Sequence, residues 1–210
     1  MKSKYLKEKK VLRQKFGEQR AALSSDSVRG RSLLMAEKLR AWLEKRPNIQ
    51  RLFFFNPLPH EPDLRPLVQD LAEGGYTFGL PWVNLNEKSG IRSPMVFYEW
   101  KPSLSVLKSS PFSALEQVDE KTSLQLDPLS EPTLILVPAL AADQSGFRLG
   151  FGKGYYDEFF AQTGYDALKA LAVITIFSEF LVPSLPRDPW DQSLPWICTE
   201  KLLGSAPLKK

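Results

Sequence analysis

An α/β layered domain is what this chain predicts, on three observations. Six runs of strand length, rich in aliphatic and aromatic residues, recur along it. Stretches with apolar residues at helical spacing stand between several of them. Proline and glycine punctuate the joints. That alternation is the pattern of strands and helices laid in layers.

The elements follow in order. Residues 4–22 read as a helix without proline. Ser24, Ser25 and Asp26 are candidate N-caps for a second helix, in which Val28, Met35, Leu39, Trp42 and Leu43 form an apolar stripe that Pro47 ends. "RLFFF" (51–55) is the first strand. A helix follows with Leu64, Leu67, Val68 and Leu71 on one face, Asp63 as a cap and Gly74-Gly75 as a stop. "YTFGLPWV" (76–83) and "MVFYEW" (95–100) are the next strands. Strand–helix–strand in this order predicts parallel neighbours joined by a right-handed crossover. Residues 101–131 carry scattered Ser, Pro and Lys and read as a long irregular connection. "TLILVP" (133–138) is a buried strand. Beyond a glycine-rich segment, Tyr156, Phe159 and Phe160 share a helical face, and "ALAVITIF" (170–177) and "WICT" (196–199) complete the six strands.

Composition narrows the class. With 210 residues the chain is expected to be a single domain, 1–210, on which the helices of 1–47 pack as an N-terminal arm. Such a chain buries roughly 70% of its unfolded surface, so no staple is needed. The one cysteine, Cys198, rules out an internal disulfide, fits a reducing cytoplasm and reads as a buried structural thiol. No apolar run reaches the length of a membrane span, and the basic start leads into "VLRQKFGEQR" rather than an apolar signal region. One histidine, His60, and one cysteine leave an ordinary zinc site or a nucleophilic triad nowhere else to form.

The net charge of +4 is local: eight Lys and Arg against two Glu fall in the first 20 residues. A solvated basic arm, a nucleic-acid-binding module and a helix reaching toward an anionic small substrate all fit that surplus. No recognised nucleic-acid motif accompanies it.

"RLGFGKGYYD" (148–157) is the segment that carries chemistry. It is not a Walker A loop, because Phe147 stands for the first glycine and Gly154 for the Ser or Thr. It is not a dinucleotide fingerprint either, since Gly150 and Gly152 match but Tyr155 takes the place of the third glycine. Glycines before a helix start still let a backbone approach a phosphate, and Arg148 and Lys153 supply charge of the correct sign. The loop alone reads equally as a tight strand-to-helix turn.

Read with its neighbours, "LILVPALAADQSGFRLGFGKGYYDEFF" resembles the signature of the 5-formyltetrahydrofolate cyclo-ligase family, also called methenyltetrahydrofolate synthetases. That signature runs approximately P-x-L-A-F-D-x-x-G-x-R-L-G-x-G-x-G-Y-Y-D, and it matches from Pro138 to Asp157 except that Ala142 replaces the aromatic. "KKVLRQKF" resembles the family's K-x-x-L-R helix, "NPLPHEPDLRPLV" the segment after its first strand, and "DPWDQSLPWICTE" its C-terminal ending. The resemblance implies a three-layer α/β/α fold with a mainly parallel central sheet. It implies a monomeric cytoplasmic enzyme that acts on neither nucleic acid nor membranes. The reaction it implies converts 5-formyltetrahydrofolate and MgATP to 5,10-methenyltetrahydrofolate, ADP and phosphate through a phosphorylated formyl group. A folate- or nucleotide-binding relative without turnover is the alternative.

Phosphoryl transfer needs positioning and charge neutralisation rather than a covalent triad. The resemblance accordingly implies an ATP site of Lys9, Arg13, Arg148, Leu149, Gly150, Phe151, Gly152, Lys153, Gly154, Tyr155 and Tyr156, within which Lys153, Tyr155 and Arg148 are catalytic. It places the folate against Asn56, Leu58, Glu61, Phe112 and Tyr155. From position alone Asp157 is a first-turn helix carboxylate and Asp191 a loop residue; the resemblance makes both Mg²⁺ ligands.

Overall fold

The computed structural model describes residues 4–83, 94–101 and 124–207. Helix α1 (Leu6–Ala21) leads into α2 (Ser25–Glu44). Of the three candidate caps it is Ser24 that acts, its side chain accepting from the Ser27 N–H at 3.2 Å. The body then runs β1 (Arg51–Phe53), α3 (Arg65–Ala72), β2 (Thr77–Trp82), β3 (Val96–Glu99), β4 (Gln125–Leu126) and β5 (Thr133–Pro138). After it come β6 (Ala141–Asp143), β7 (Arg148–Leu149), α4 (Tyr155–Phe160), α5 (Asp166–Lys169), β8 (Ala172–Thr175), β9 (Leu181–Val182), β10 (Trp196–Cys198) and β11 (Leu203–Ser205).

All six expected strands lie in one sheet, ordered β11-β10-β8-β5-β1-β2-β3-β4. Its centre, from β10 to β2, is parallel throughout. The flanks depart from the expected parallel order. β3 runs antiparallel to β2, and two short strands missing from the sequence reading, β4 and β11, add antiparallel edges. Runs of two or three residues carry too few positions for a period of two to show. Leu134–Val137 and Ala172–Ile174 are fully buried. That is why both strands read as unbroken apolar runs: a parallel sheet is covered on both faces.

Chain order explains the layers. From β1 through α3 the chain moves to β2, on one side; from β5 through α4 and α5 it moves to β8, on the other. With the right hand that such crossovers take, the two connections cover opposite faces of the sheet. On one, Trp42 of α2 meets Trp196 of β10 edge-on at 5.4 Å. On the other, Phe53 stacks on Phe97 at 4.3 Å, and Phe97 meets Phe159 of α4. The crevice where the order reverses, beyond the carboxyl ends of β1 and β5, is where sheets of this kind bind ligands.

A second, three-stranded sheet (β7-β6-β9) occupies what reads in sequence as plain loop. Its hairpin is pinned by Asp143, which is fully buried. Asp143 Oδ1 accepts from the N–H groups of Ser145 and Phe147; Oδ2 accepts from the Leu185 N–H and the Arg187 guanidinium. Gly146 turns the hairpin with φ of 85°, and a Cβ there would lie 2.1 Å from the Leu194 carbonyl oxygen. Ala142, where the family carries an aromatic, is fully buried between β7 and β9. Among the described residues no helix is long and apolar enough to cross a membrane.

Candidate active site

Three stretches distant in sequence line one cleft of about 430 Å³. α1 supplies Leu6, Lys9 and Arg13; the segment leaving β7 supplies every residue from Arg148 to Asp157; a C-terminal loop supplies Asp188, Trp190 and Asp191. Pro138 at the end of β5 and Pro81 at the end of β2 form part of the floor, so the cleft opens at the crevice predicted by the topology. Four cations and three carboxylates thus share one small volume.

The glycine segment is shaped by α1. Arg13 donates from Nε to the Gly150 carbonyl oxygen at 2.8 Å. Gly152 has φ of 94°, and a Cβ on it would come within 3.1 Å of the Arg13 guanidinium carbon. A side chain there would meet both a backbone penalty and a cation. Gly154, with φ of 72°, opens α4. That helix has six residues, so the charge of the cleft resides in its cations more than in a helix dipole.

Arg148 is the most enclosed of these cations, its side chain 4% exposed. Its Nη2 pairs with Asp157 Oδ1 at 3.1 Å and its Nη1 donates to the Gln192 carbonyl oxygen. Burial lowers its pKa, against the pull of Asp157. Asp157 Oδ1 also accepts from the Gln192 N–H at 2.9 Å. Lys9 lies between two carboxylates, 2.8 Å from Asp188 Oδ2 and 2.5 Å from Asp191 Oδ2. Asp191 Oδ2 takes the Asp188 N–H as well. The second oxygens of Asp157 and Asp191 make no hydrogen bond among the described residues.

Asn56, Leu58 and Glu61 are not walls of this cleft. They leave the carboxyl end of β1 beside it, and Glu61 is only 3% exposed. Arg20 Nη1 donates to Glu61 Oε1 at 3.0 Å, and the Leu58 N–H to Oε2 at 2.9 Å. Burial raises the Glu61 pKa above the usual carboxylate range, and Arg20 and the Leu58 N–H pull it back. Tyr156 is a buried phenol whose pKa desolvation also raises, with Arg148 and Glu61 both acting on it. The Tyr156 hydroxyl and the Asn56 amide nitrogen are buried without a hydrogen bond among the described residues. Buried polar atoms are almost always paired, so these two want a partner that a ligand can bring.

Phe112 lies outside the described residues. His60 sits in a turn with φ of 65° and its Nδ1 lies 2.9 Å from the Leu23 carbonyl oxygen. Trp100 packs edge-on against Phe54 and Phe78, and Trp82 against Tyr98. Cys198 is buried and its thiol pKa is pushed up to about 12, as a structural thiol requires.

This site can be set beside known proteins. The family model for 5-formyltetrahydrofolate cyclo-ligases matches residues 5–200. The chain belongs to that family. A 5-formyltetrahydrofolate cyclo-ligase of Mycolicibacterium smegmatis is 30% identical over 167 residues, 79% of this chain and 82% of the relative. One from Mus musculus is 23% identical over 187 residues, 89% of this chain and 90% of the relative. The fold is similar to the 5,10-methenyltetrahydrofolate synthetase of Aquifex aeolicus, with a TM-score of 0.72 at 27% identity, covering 96% of this chain and 94% of that one. A 5,10-methenyltetrahydrofolate synthetase from Mycoplasma pneumoniae shares the fold at a TM-score of 0.70 and 21% identity, over 91% of this chain and 98% of that one. The cyclo-ligase class expected from the signature stands with this membership.

Three residues of the site are absent from the sequence reading. Asp188 precedes Asp191 by one turn in "DPWD", a repeat of carboxylates that could have suggested a pair. Trp190, 38% exposed, lines the cleft between them. Arg20 continues the stripe Lys9, Arg13, Phe16, Arg20, which recurs at helical spacing but is mostly cationic. A search for apolar periodicity passes over such a face.

Proposed function

We propose that this chain closes 5-formyltetrahydrofolate to 5,10-methenyltetrahydrofolate while converting ATP to ADP and phosphate. The observation that carries this reading is the meeting of Arg13 with the Gly150–Gly154 loop, which puts cations of α1 and of the signature segment around one cleft.

The chemistry then follows from charge and position. The formyl oxygen is a poor leaving group. It attacks the γ-phosphorus, a P–O bond forms, and ADP departs. N10 attacks the activated formyl carbon and loses its proton; the former formyl oxygen leaves within the phosphate. Arg148 and Lys153 bracket the phosphoryl group, Arg13 fixes the loop against the nucleotide, and Lys9, oriented by Asp188 and Asp191, turns an N–H toward the phosphates. Tyr155 lines the pocket at the formyl group. Glu61 and Asn56 hold the folate, and the buried amide and phenol find their partners there.

The donors fit Mg²⁺. Asp157 and Asp191 line the same cleft; among the described residues no three His, Cys, Asp or Glu gather as a metal cluster, so these two carboxylates would hold Mg²⁺, and water and phosphate oxygens would complete its shell. When bound, the ion neutralises charge on the transferring phosphoryl group. The cytoplasmic, monomeric setting expected from the sequence belongs to the same reading.

Substrate labelled with ¹⁸O in the formyl group tests it. The label should appear in inorganic phosphate, with ADP and methenyl product formed in equal amounts. ADP without methenyl product would contradict the reading and point to a nucleotide-hydrolysing relative.

A further inference from the structure

We propose that Arg20 is a positioning residue for folate use, aiming Glu61 at the substrate and tying the loop after β1 to the glycine loop. The proposal rests on the cyclo-ligase reading above.

Arg20 lies on the inner face of α1, two turns beyond Arg13. Its side chain and that of Glu61 are both more than nine-tenths buried, 3.0 Å apart between Nη1 and Oε1. The same guanidinium lies 5.2 Å from the ring centroid of Phe151. One side chain therefore touches the loop leaving β1 and the loop following β7, on the two sides of the crevice. Phe151 is 51% exposed and lines the nucleotide side of the cleft.

A purely structural ion pair does not explain what surrounds it. Glu61 accepts one donor on each oxygen, from Arg20 and from the Leu58 N–H, and a carboxylate can accept about four. The Asn56 amide on the same loop and the Tyr156 phenol, whose pKa the Glu61 charge helps to raise, are buried without hydrogen bonds among the described residues. Spare acceptor capacity on Glu61 thus accompanies unmet polar groups, and Arg20 fixes the Glu61 end of the set.

The charged and titratable groups acting on or with Glu61 are Arg20 from α1, paired at 3.0 Å, and Tyr156 from α4, which the Glu61 charge reaches and over whose ring Arg148 lies at 5.8 Å. Burial already drives the Glu61 carboxyl upward, and Arg20 is its counterweight. Without Arg20 the carboxyl takes up a proton closer to neutral pH. It then presents an O–H where the N–H edge of a pterin needs an acceptor.

The experiment is steady-state kinetics of Arg20→Met, Arg20→Lys, Glu61→Gln and the Arg20→Met/Glu61→Gln double variant, with each substrate varied across pH. Arg20→Met should raise KM for 5-formyltetrahydrofolate about tenfold or more at pH 7 and leave KM for ATP within about threefold. It should move the acid limb of kcat/KM for the folate toward neutrality by about one pH unit. Arg20→Lys should restore most of the loss. Glu61→Gln should abolish the limb, and the double variant should be no worse than Glu61→Gln alone. Arg20→Gln, which keeps a donor without the charge, replaces Arg20→Met if the latter does not fold. A folded variant with unchanged folate KM and an unmoved limb, or one altered only in ATP use, overturns the proposal while wild-type turnover still upholds the cyclo-ligase reading. A wild-type chain that makes no ATP-dependent product overturns both.

Discussion

Arg13 and Gly150 are joined by a hydrogen bond of 2.8 Å across 137 residues of sequence. Through it the first helix of the chain sets the path of the loop that follows β7. Arg13→Ala should therefore impair nucleotide use far more than folding. KM for ATP should rise about tenfold or more and turnover fall about a hundredfold, as for loss of one positioned charge. Stability should drop by only about 1–2 kcal/mol. Nucleotide titration and urea unfolding of the same variant separate the two effects.

Gly152 and Gly150 offer a paired comparison. Gly152 combines positive φ with Arg13 at 3.1 Å from a would-be Cβ, whereas a Cβ on Gly150 would meet nothing within 4 Å. Gly152→Ala should cost about 1–2 kcal/mol of local strain and lower turnover steeply. Gly150→Ala should stay within about 0.5 kcal/mol of wild type in stability. Equal effects of the two substitutions in thermal unfolding and turnover would sink this account of the loop.

Among the described residues Asp157 and Asp191 each keep one oxygen unengaged, while Asp188 has Lys9 and the Lys4 N–H on its two oxygens. Asp157→Asn and Asp191→Asn should raise the Mg²⁺ concentration for half-maximal rate about tenfold or more. Asp188→Asn should leave the Mg²⁺ requirement near that of wild type while lowering stability by about 1–3 kcal/mol and loosening Lys9, because Asp188 is buried and anchors α1 through Lys9 and the Lys4 N–H. Activity measured against Mg²⁺, with unfolding curves alongside, distinguishes the two kinds of carboxylate. Chelation should abolish activity reversibly.

Cys198 should be inert in the folded chain. Its thiol pKa of about 12 leaves almost no thiolate at pH 8. A thiol-specific reagent should label it only on unfolding, with no loss of activity beforehand. Rapid labelling of the native protein would contradict the buried position.

Much of this was legible in the sequence because the central strands announce themselves. "TLILVP" and "AVIT" lie in a doubly covered parallel sheet, so nothing polar interrupts them. Strand–helix–strand order implied right-handed crossovers, but that the two connections cover opposite faces follows only from the strand order of the sheet. The edges were not legible: β4 and β11 have two and three residues, too few to show a period, and β4 pairs with β3 across the 101–123 segment. Nor was the small sheet, since the segment holding Asp143 and Gly146 reads as loop, and the Leu185 and Arg187 groups that pin it come from far along the chain. In the site, the loop's composition showed charge and freedom of backbone but not that α1 shapes it. The basic face of α1 fitted a solvated arm as well as a helix reaching an anion, and the resemblance assigned Lys9 and Arg13, but not Arg20, to a site. Only the fold supplies Asp188, Asp191, Gly150 and Glu61 as its partners.

The most direct test of the central claim is turnover by the purified full chain. With 5-formyltetrahydrofolate, ATP and Mg²⁺, methenyl product should accumulate by its ultraviolet absorbance, stop when ATP or Mg²⁺ is omitted, and be nearly lost in Lys153→Ala. A folded wild-type chain that forms no ATP-dependent methenyl product would contradict it.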